Sequence, residues 1–126
     1  MANEVNNTPL HDLLKYCNLE EYLSDIKQYN ETLFDRVGVD VRLIQIIENV
    51  RHTIEGLLLL VNTDTLIDDN TKLDLLKQLI DVHQAMINYV SQTKDIQTKD
   101  MYQLNAILNG MHKLYAIFLF GISQTL

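Results

Sequence analysis

The sequence predicts an all-α fold, an up-down antiparallel helical bundle with three long helices and two shorter N-terminal helices. Apolar residues recur three and four positions apart along most of the chain, which is the period of an α-helix. No segment alternates apolar and polar residues as an amphipathic strand would. The 126 residues also include one proline and four glycines, too few for a chain built of many tight β-turns.

The two predicted N-terminal helices each carry a start signal. Thr8 is placed to cap the first, with Pro9 at its first helical position. Asn18 is placed to cap the second, and Glu21 follows it at the spacing of a capping box. We expect the second helix over about residues 19–34, because its apolar residues there keep to one face.

The third helix, predicted over about residues 41–61, has the most regular pattern. Gly38 ends the helix before it, and Asp40 caps it. Its apolar stripe consists of Leu43, Ile47, Val50, Ile54, Leu57 and Val61. The alternation of spacings of three and four favours shallow crossings with neighbouring helices.

The fourth helix is predicted over about residues 71–92, capped by Asn70 or Thr71, and it carries two apolar stripes. One stripe is Leu73, Leu76, Ile80, His83, Ile87 and Val90, and the other is Leu75, Leu79, Val82, Met86 and Tyr89. Few positions are then left for water, and Lys72 is among them.

The fifth helix is capped by Thr98 and becomes apolar on nearly all sides from Leu114 onwards. Such a helix lies either at the centre of a bundle or in an interface. Because so small a domain has little interior, we expect some of this apolar surface to meet another molecule. The predicted contact residues are Leu59, Leu60, Leu114, Tyr115, Phe118, Leu119 and Ile122. The alternative is a well-filled core with the last helix at its centre.

The acidic composition narrows the class of function. A formal net charge of −7 argues against nonspecific binding to nucleic acid or to an anionic membrane surface. The acidic residues expected to form a rim that selects a basic partner are Glu20, Glu21, Asp25, Asp68 and Asp69. The sequence therefore predicts a non-catalytic protein–protein interaction module, a small regulator, adaptor or inhibitor that binds another protein and forms a homodimer.

The remaining signals concern domain organisation and location. We expect one domain over residues 8–126, after a flexible segment at residues 1–7. The single Cys17 and the lack of a signal peptide predict a cytoplasmic protein. The longest apolar stretch, residues 114–122, is too short to span a bilayer. We expect no metal, no cofactor and no enzymatic activity, because helical metal motifs, phosphate loops and activated nucleophiles are not apparent.

One short segment suggests an alternative function. HTIEG, residues 52–56, lies on the third helix with His52 predicted to face solvent. It resembles the phosphoacceptor segment of histidine phosphotransfer domains, which are helical bundles of similar size. The resemblance implies that His52 accepts a phosphoryl group and that Gly56 lets a receiver domain approach. Glu55 departs from the pattern, which has a lysine there, and a carboxylate repels phosphoryl oxygens.

His83 suggests a second alternative, because it lies within an apolar stripe of the fourth helix. Such a residue serves as a haem or metal ligand inside a bundle or, in a helical sensor domain, stands beside an apolar ligand held between helices. The competing interpretation is a neutral histidine hydrogen-bonded to a backbone or tyrosine oxygen.

Overall fold

The computed structural model confirms the predicted all-α bundle, with 87 % of the described residues helical. It describes residue 10, residues 12–62 and residues 68–125, with the backbone alone at residues 69 and 121–125. The predicted flexible segment 1–7, as well as Thr8 and Pro9, lies outside these described residues.

Five helices make up the bundle. A short helix, α1, is seen at Leu10 and residues 12–15. The four others are α2 (Leu19–Asp35), α3 (Val41–Asn62), α4 (Asp69–Gln92) and α5 (Thr98–Thr125). Each of these four packs against the next, and α5 returns to α2, which closes an up-down ring.

The helix boundaries follow local capping, with two corrections. Thr98, predicted to cap α5, is instead the first residue of that helix, and the carbonyl of Gln97 before it accepts from the Met101 N–H at 2.9 Å. The Asn18 side chain accepts a hydrogen bond from the Glu21 N–H at 3.4 Å and donates one to Glu21 Oε2 at 2.7 Å, which confirms the predicted cap. Asp40 Oδ1 accepts from the Arg42 N–H at 2.9 Å, also as predicted. The prediction of Asn70 or Thr71 as the cap of α4 is wrong. Asp68 takes that place, because its Oδ1 accepts from the Thr71 N–H at 2.7 Å and α4 begins earlier.

One hydrophobic cluster fills the ring, with contributions from all five helices. Leu10 and Leu14 of α1 are fully buried, so α1 covers part of this core. From α5 the core receives Leu104, Ile107, Met111, Leu114 and Phe118. Phe118 is 0 % exposed, so the inner side of α5 reaches the middle of the core.

The two apolar stripes of α4 have different environments. Leu79, Val82, Met86 and Tyr89 of one stripe are buried, whereas Leu73 and Ile80 of the other are exposed. Lys72, predicted to be solvated, is instead buried. Its position explains this, because residues four and seven further on, Leu76 and Leu79, are core residues on the same side of the helix.

The seam between α2 and α5 is joined by polar groups. The Tyr22 hydroxyl donates to the Ile107 carbonyl at 2.6 Å. Near the other end of α2, Arg36 forms a two-pronged ion pair with Asp100 at 2.7 and 3.0 Å, and the Tyr29 hydroxyl donates to Asp100 at 2.9 Å. These bonds tie the first long helix of the ring to the last.

Candidate functional site

A partly apolar strip runs along the outside of the α4–α5 seam, and we call it the α4–α5 face. Its exposed apolar side chains are Leu73 (48 % exposed) and Ile80 (39 %) on α4 and Leu119 (41 %) on α5. Half-buried side chains fill the seam between them. By helical spacing these are His83, Ile87, Leu108 and Tyr115, and the exposed His112 lies beside them.

Among the described residues, one charged side chain borders the α4–α5 face. Lys77 is four residues after Leu73 and three before Ile80, so it lies beside both on the surface of α4. The other exposed charged residues of α4 and α5 fall on other sides of these helices by their spacing from His83 and His112. They are Asp74, Asp81, Lys99 and Lys113. A protein with a net charge of −7 thus presents here a strip on which no described side chain is acidic.

Two histidines meet at the centre of the α4–α5 face. The Nε2 atoms of His83 and His112 are 3.4 Å apart, and their rings are nearly perpendicular with centroids 4.4 Å apart. The His83 ring is also parallel to that of Tyr115, with centroids 6.4 Å apart. Burial, and then the neighbouring His112, lower the pKa of His83. In the neutral form, one ring can donate a hydrogen bond to the other.

The sequence pattern points to His83 but does not connect it with His112. The two residues are 29 positions apart and belong to different helices, so no local motif connects them. The predicted apolar ligand beside His83 also finds no cavity among the three clefts described here, since His83 lines none of them. The ring of His83 instead lies against those of His112 and Tyr115.

Only part of the predicted contact set lies on the α4–α5 face. Tyr115 is half-buried there and Leu119 is exposed, whereas Leu59 is exposed on α3. For Leu60, Leu114 and Phe118 the prediction is wrong, because their side chains are packed in the core of the single chain. The side chain of Ile122 lies outside the description. The apolar excess of α5 is thus divided, because Leu114 and Phe118 lie in the core whereas Leu119 and Phe120 are exposed.

The predicted acidic rim does not surround this face. Glu20, Glu21 and Asp25 are exposed on α2, which packs against the opposite side of α5. Asp68 caps the N-terminus of α4, and that role lowers the pKa of its carboxyl group. The side chain of Asp69 is not among those described. The rim was predicted from acidic residues that belong to separate parts of the ring.

His52 is exposed on α3, as predicted, but its surroundings do not favour phosphoryl transfer. Its Nδ1 atom lies 3.7 Å from Glu55 Oε1, which is also 3.4 Å from Arg51 Nη1. A β-carbon at Gly56 would lie 3.4 Å from Leu75 Cδ2. Helix α4 therefore covers the side of Gly56 that the resemblance would leave open to a receiver domain.

A cleft of about 520 Å³ between α2 and α5 is the largest of the three clefts. Its polar wall includes Tyr29, Arg36 and Asp100, which already satisfy one another. The Arg36 guanidinium lowers the pKa of the Asp100 carboxyl, and burial raises the pKa of the Tyr29 hydroxyl. Asp100 thus stays ionised and Tyr29 stays a donor, which suits a structural network better than acid–base chemistry.

The described residues contain no group of three or more His, Cys, Asp or Glu side chains placed to hold a metal ion. None of their helices combines the length and the apolar character needed to cross a membrane.

Comparisons with models of protein families, with curated proteins and with solved structures found no match to this chain.

Proposed function

We propose that this chain is a non-catalytic protein-interaction module, a small cytoplasmic regulator, adaptor or inhibitor, that pairs with a second copy of itself through the α4–α5 face. The observation that carries the proposal is a strip with Leu73, Ile80 and Leu119 exposed on it and with no acidic side chain among its described residues. Exposed apolar side chains clustered on one face are typical of docking surfaces.

Charge favours a second copy as the occupant. Each copy carries a net charge of −7, so two copies repel one another wherever their acidic faces approach. On the α4–α5 face two copies can meet without bringing acidic side chains opposite each other. The acidic charge elsewhere then acts against other modes of self-association.

The shape of the face also suits a symmetric pair. Leu73 and Ile80 are seven residues apart, as are His112 and Leu119, so each helix presents a ridge along its axis. Two such helix pairs related by a two-fold axis would bury the same residues from both copies. The half-buried Tyr115 adds an aromatic residue of the kind enriched in interfaces.

Light scattering combined with size-exclusion chromatography tests the proposal. The monomer mass is 14.6 kDa, and we expect twice that mass for the unmodified chain. Leu73→Asp and Leu119→Asp should each shift the protein toward the monomer, because a two-fold interface brings both introduced carboxylates together.

Leu59→Asp is the matched control, since Leu59 is an exposed leucine on α3 and not on the α4–α5 face. It should leave the mass unchanged, and circular dichroism should show the same helix content in all variants. A monomer at every concentration, or equal loss of the dimer in Leu59→Asp, would overturn the proposal.

A further inference from the structure

We propose that His83 and His112 together form a binding site for a divalent first-row transition-metal ion such as Zn²⁺ or Ni²⁺. In this site the two Nε2 atoms supply the protein ligands and water completes the coordination. Both ligands come from one chain, so one copy suffices for the site, and the Leu73→Asp variant tests it without the second copy that would cover the α4–α5 face.

The distance between the two nitrogens is the first argument. A tetrahedral zinc ion binds imidazole nitrogen at about 2.0–2.1 Å, so two nitrogens on one ion lie roughly 3.4 Å apart. His83 Nε2 and His112 Nε2 are 3.4 Å apart. The antiparallel packing of α4 against α5 sets this spacing, and the exposed His112 ring has room to turn toward a shared ion.

The surroundings of the two rings are the second argument. A metal ligand must be a neutral imidazole with a free lone pair. The Nε2 atoms of His83 and His112 face one another, and among the described residues no carboxylate forms an ion pair with either ring. When an ion binds, the ring proton on Nε2 moves to Nδ1, and the metal replaces the hydrogen bond between the rings.

The ligand type selects the ion. Imidazole nitrogen suits zinc, nickel and copper, whereas calcium and magnesium require oxygen ligands. The protein as a whole has a net charge of −7 and attracts cations. We therefore expect Zn²⁺ and Ni²⁺ to bind, and Mg²⁺ not to bind.

Isothermal titration of the full chain with ZnCl₂ and NiCl₂ tests this inference. We expect one ion per chain, and His83→Ala or His112→Ala should each weaken binding by about tenfold or more. His52→Ala, which removes an exposed histidine on α3, should bind as the unmodified chain does. Loss of the His83 and His112 ring signals or their shift in nuclear magnetic resonance spectra would locate the ion independently of affinity.

The outcomes separate this inference from the proposed dimer. The Leu73→Asp variant retains both histidines and should bind the ion with the same stoichiometry whether or not it dimerises. Absence of saturable binding to the unmodified chain would overturn the metal site, as would equal affinity in the variants that lack His83 or His112. Neither result would change the mass expected from light scattering.

Discussion

Gly110 of α5 lies where Tyr22 of α2 leaves no space for a side chain. A β-carbon there would be 2.7 Å from Tyr22 Cζ and 2.9 Å from its hydroxyl oxygen. We expect Gly110→Ala to displace the ring and break its 2.6 Å hydrogen bond to the Ile107 carbonyl. The free energy of unfolding, measured with urea, should fall by about 1–3 kcal/mol.

Gly56 offers the matched control in α3. A β-carbon there would have one neighbour within 4 Å, Leu75 Cδ2 at 3.4 Å, which is close to an ordinary van der Waals contact. Alanine is favoured over glycine in a helix interior by up to about 1 kcal/mol, so Gly56→Ala should be neutral or stabilising. If both variants lost the same stability, the Tyr22 contact would not be the cause.

Asp100 anchors the polar network between α2 and α5. Asp100→Asn removes the ion pair with Arg36 and weakens the acceptor for Tyr29, so at neutral pH we expect a loss of about 1–3 kcal/mol. Because Arg36 lowers the pKa of Asp100, this advantage of the unmodified chain is complete above the usual carboxyl pKa of about 3.9. It disappears as the pH falls through the lowered pKa. Urea unfolding at neutral and acidic pH measures it, and a difference independent of pH would contradict the assignment.

The pairing of α4 with α5 should depend on pH through His83. Its pKa is lowered in the folded chain by burial and by His112, so the unfolded chain binds the proton more readily. The stability that the neutral His83 contributes is therefore present above the usual histidine pKa of about 6.5 and is lost as the pH falls below it. The groups facing it across the seam are His112 and Tyr115.

Thermal unfolding followed by circular dichroism tests this dependence. Tm should fall between neutral pH and about pH 5.5, and the fall should be smaller in His83→Gln. His52→Gln, at an exposed histidine, should keep the dependence of the unmodified chain. An identical fall in all three proteins would show that other groups are responsible.

The sequence predicted where the helices lie along the chain better than which side of each helix faces the core. In α3 a single narrow stripe determined the buried side, and five of its six residues are core residues. In α4 two stripes together cover much of the helix, and the packing of α3 and α5 decides which one faces the core. For this reason Leu73 is exposed while Lys72 is buried. Periodicity shows which residues share a face of a helix. In a broadly apolar helix, only the packing of neighbouring helices determines which face is directed toward the core.

A dimer formed through the α4–α5 face should become tighter as salt is added. Each copy carries a net charge of −7, so salt screens the repulsion between copies while leaving the apolar contacts intact. The dissociation constant, measured by sedimentation equilibrium at low and high NaCl, should therefore decrease. A dimer weakened by salt would instead be held by ion pairs, and the α4–α5 face would not be its interface.

The candidate site was harder to predict than the fold for a related reason. Residues that meet across helices, such as His83 and His112, are separated by 29 positions, and no spacing rule joins them. The apolar excess of α5 was visible in the sequence, but its division between core and surface was not. Leu114 and Phe118 became core because α5 contacts both α4 and α2, which left Leu119 outside.

The order of contacts around the ring has a consequence for folding. Three of its four seams join helices that are consecutive in the chain, and only the polar seam of α2 with α5 connects distant segments. Topologies dominated by sequence-local contacts fold quickly, on timescales of about microseconds to milliseconds. We therefore expect rapid assembly by successive hairpins, with Tyr22, Tyr29 and Arg36 engaging α5 last. The same junction would then be the first to exchange its amide hydrogens.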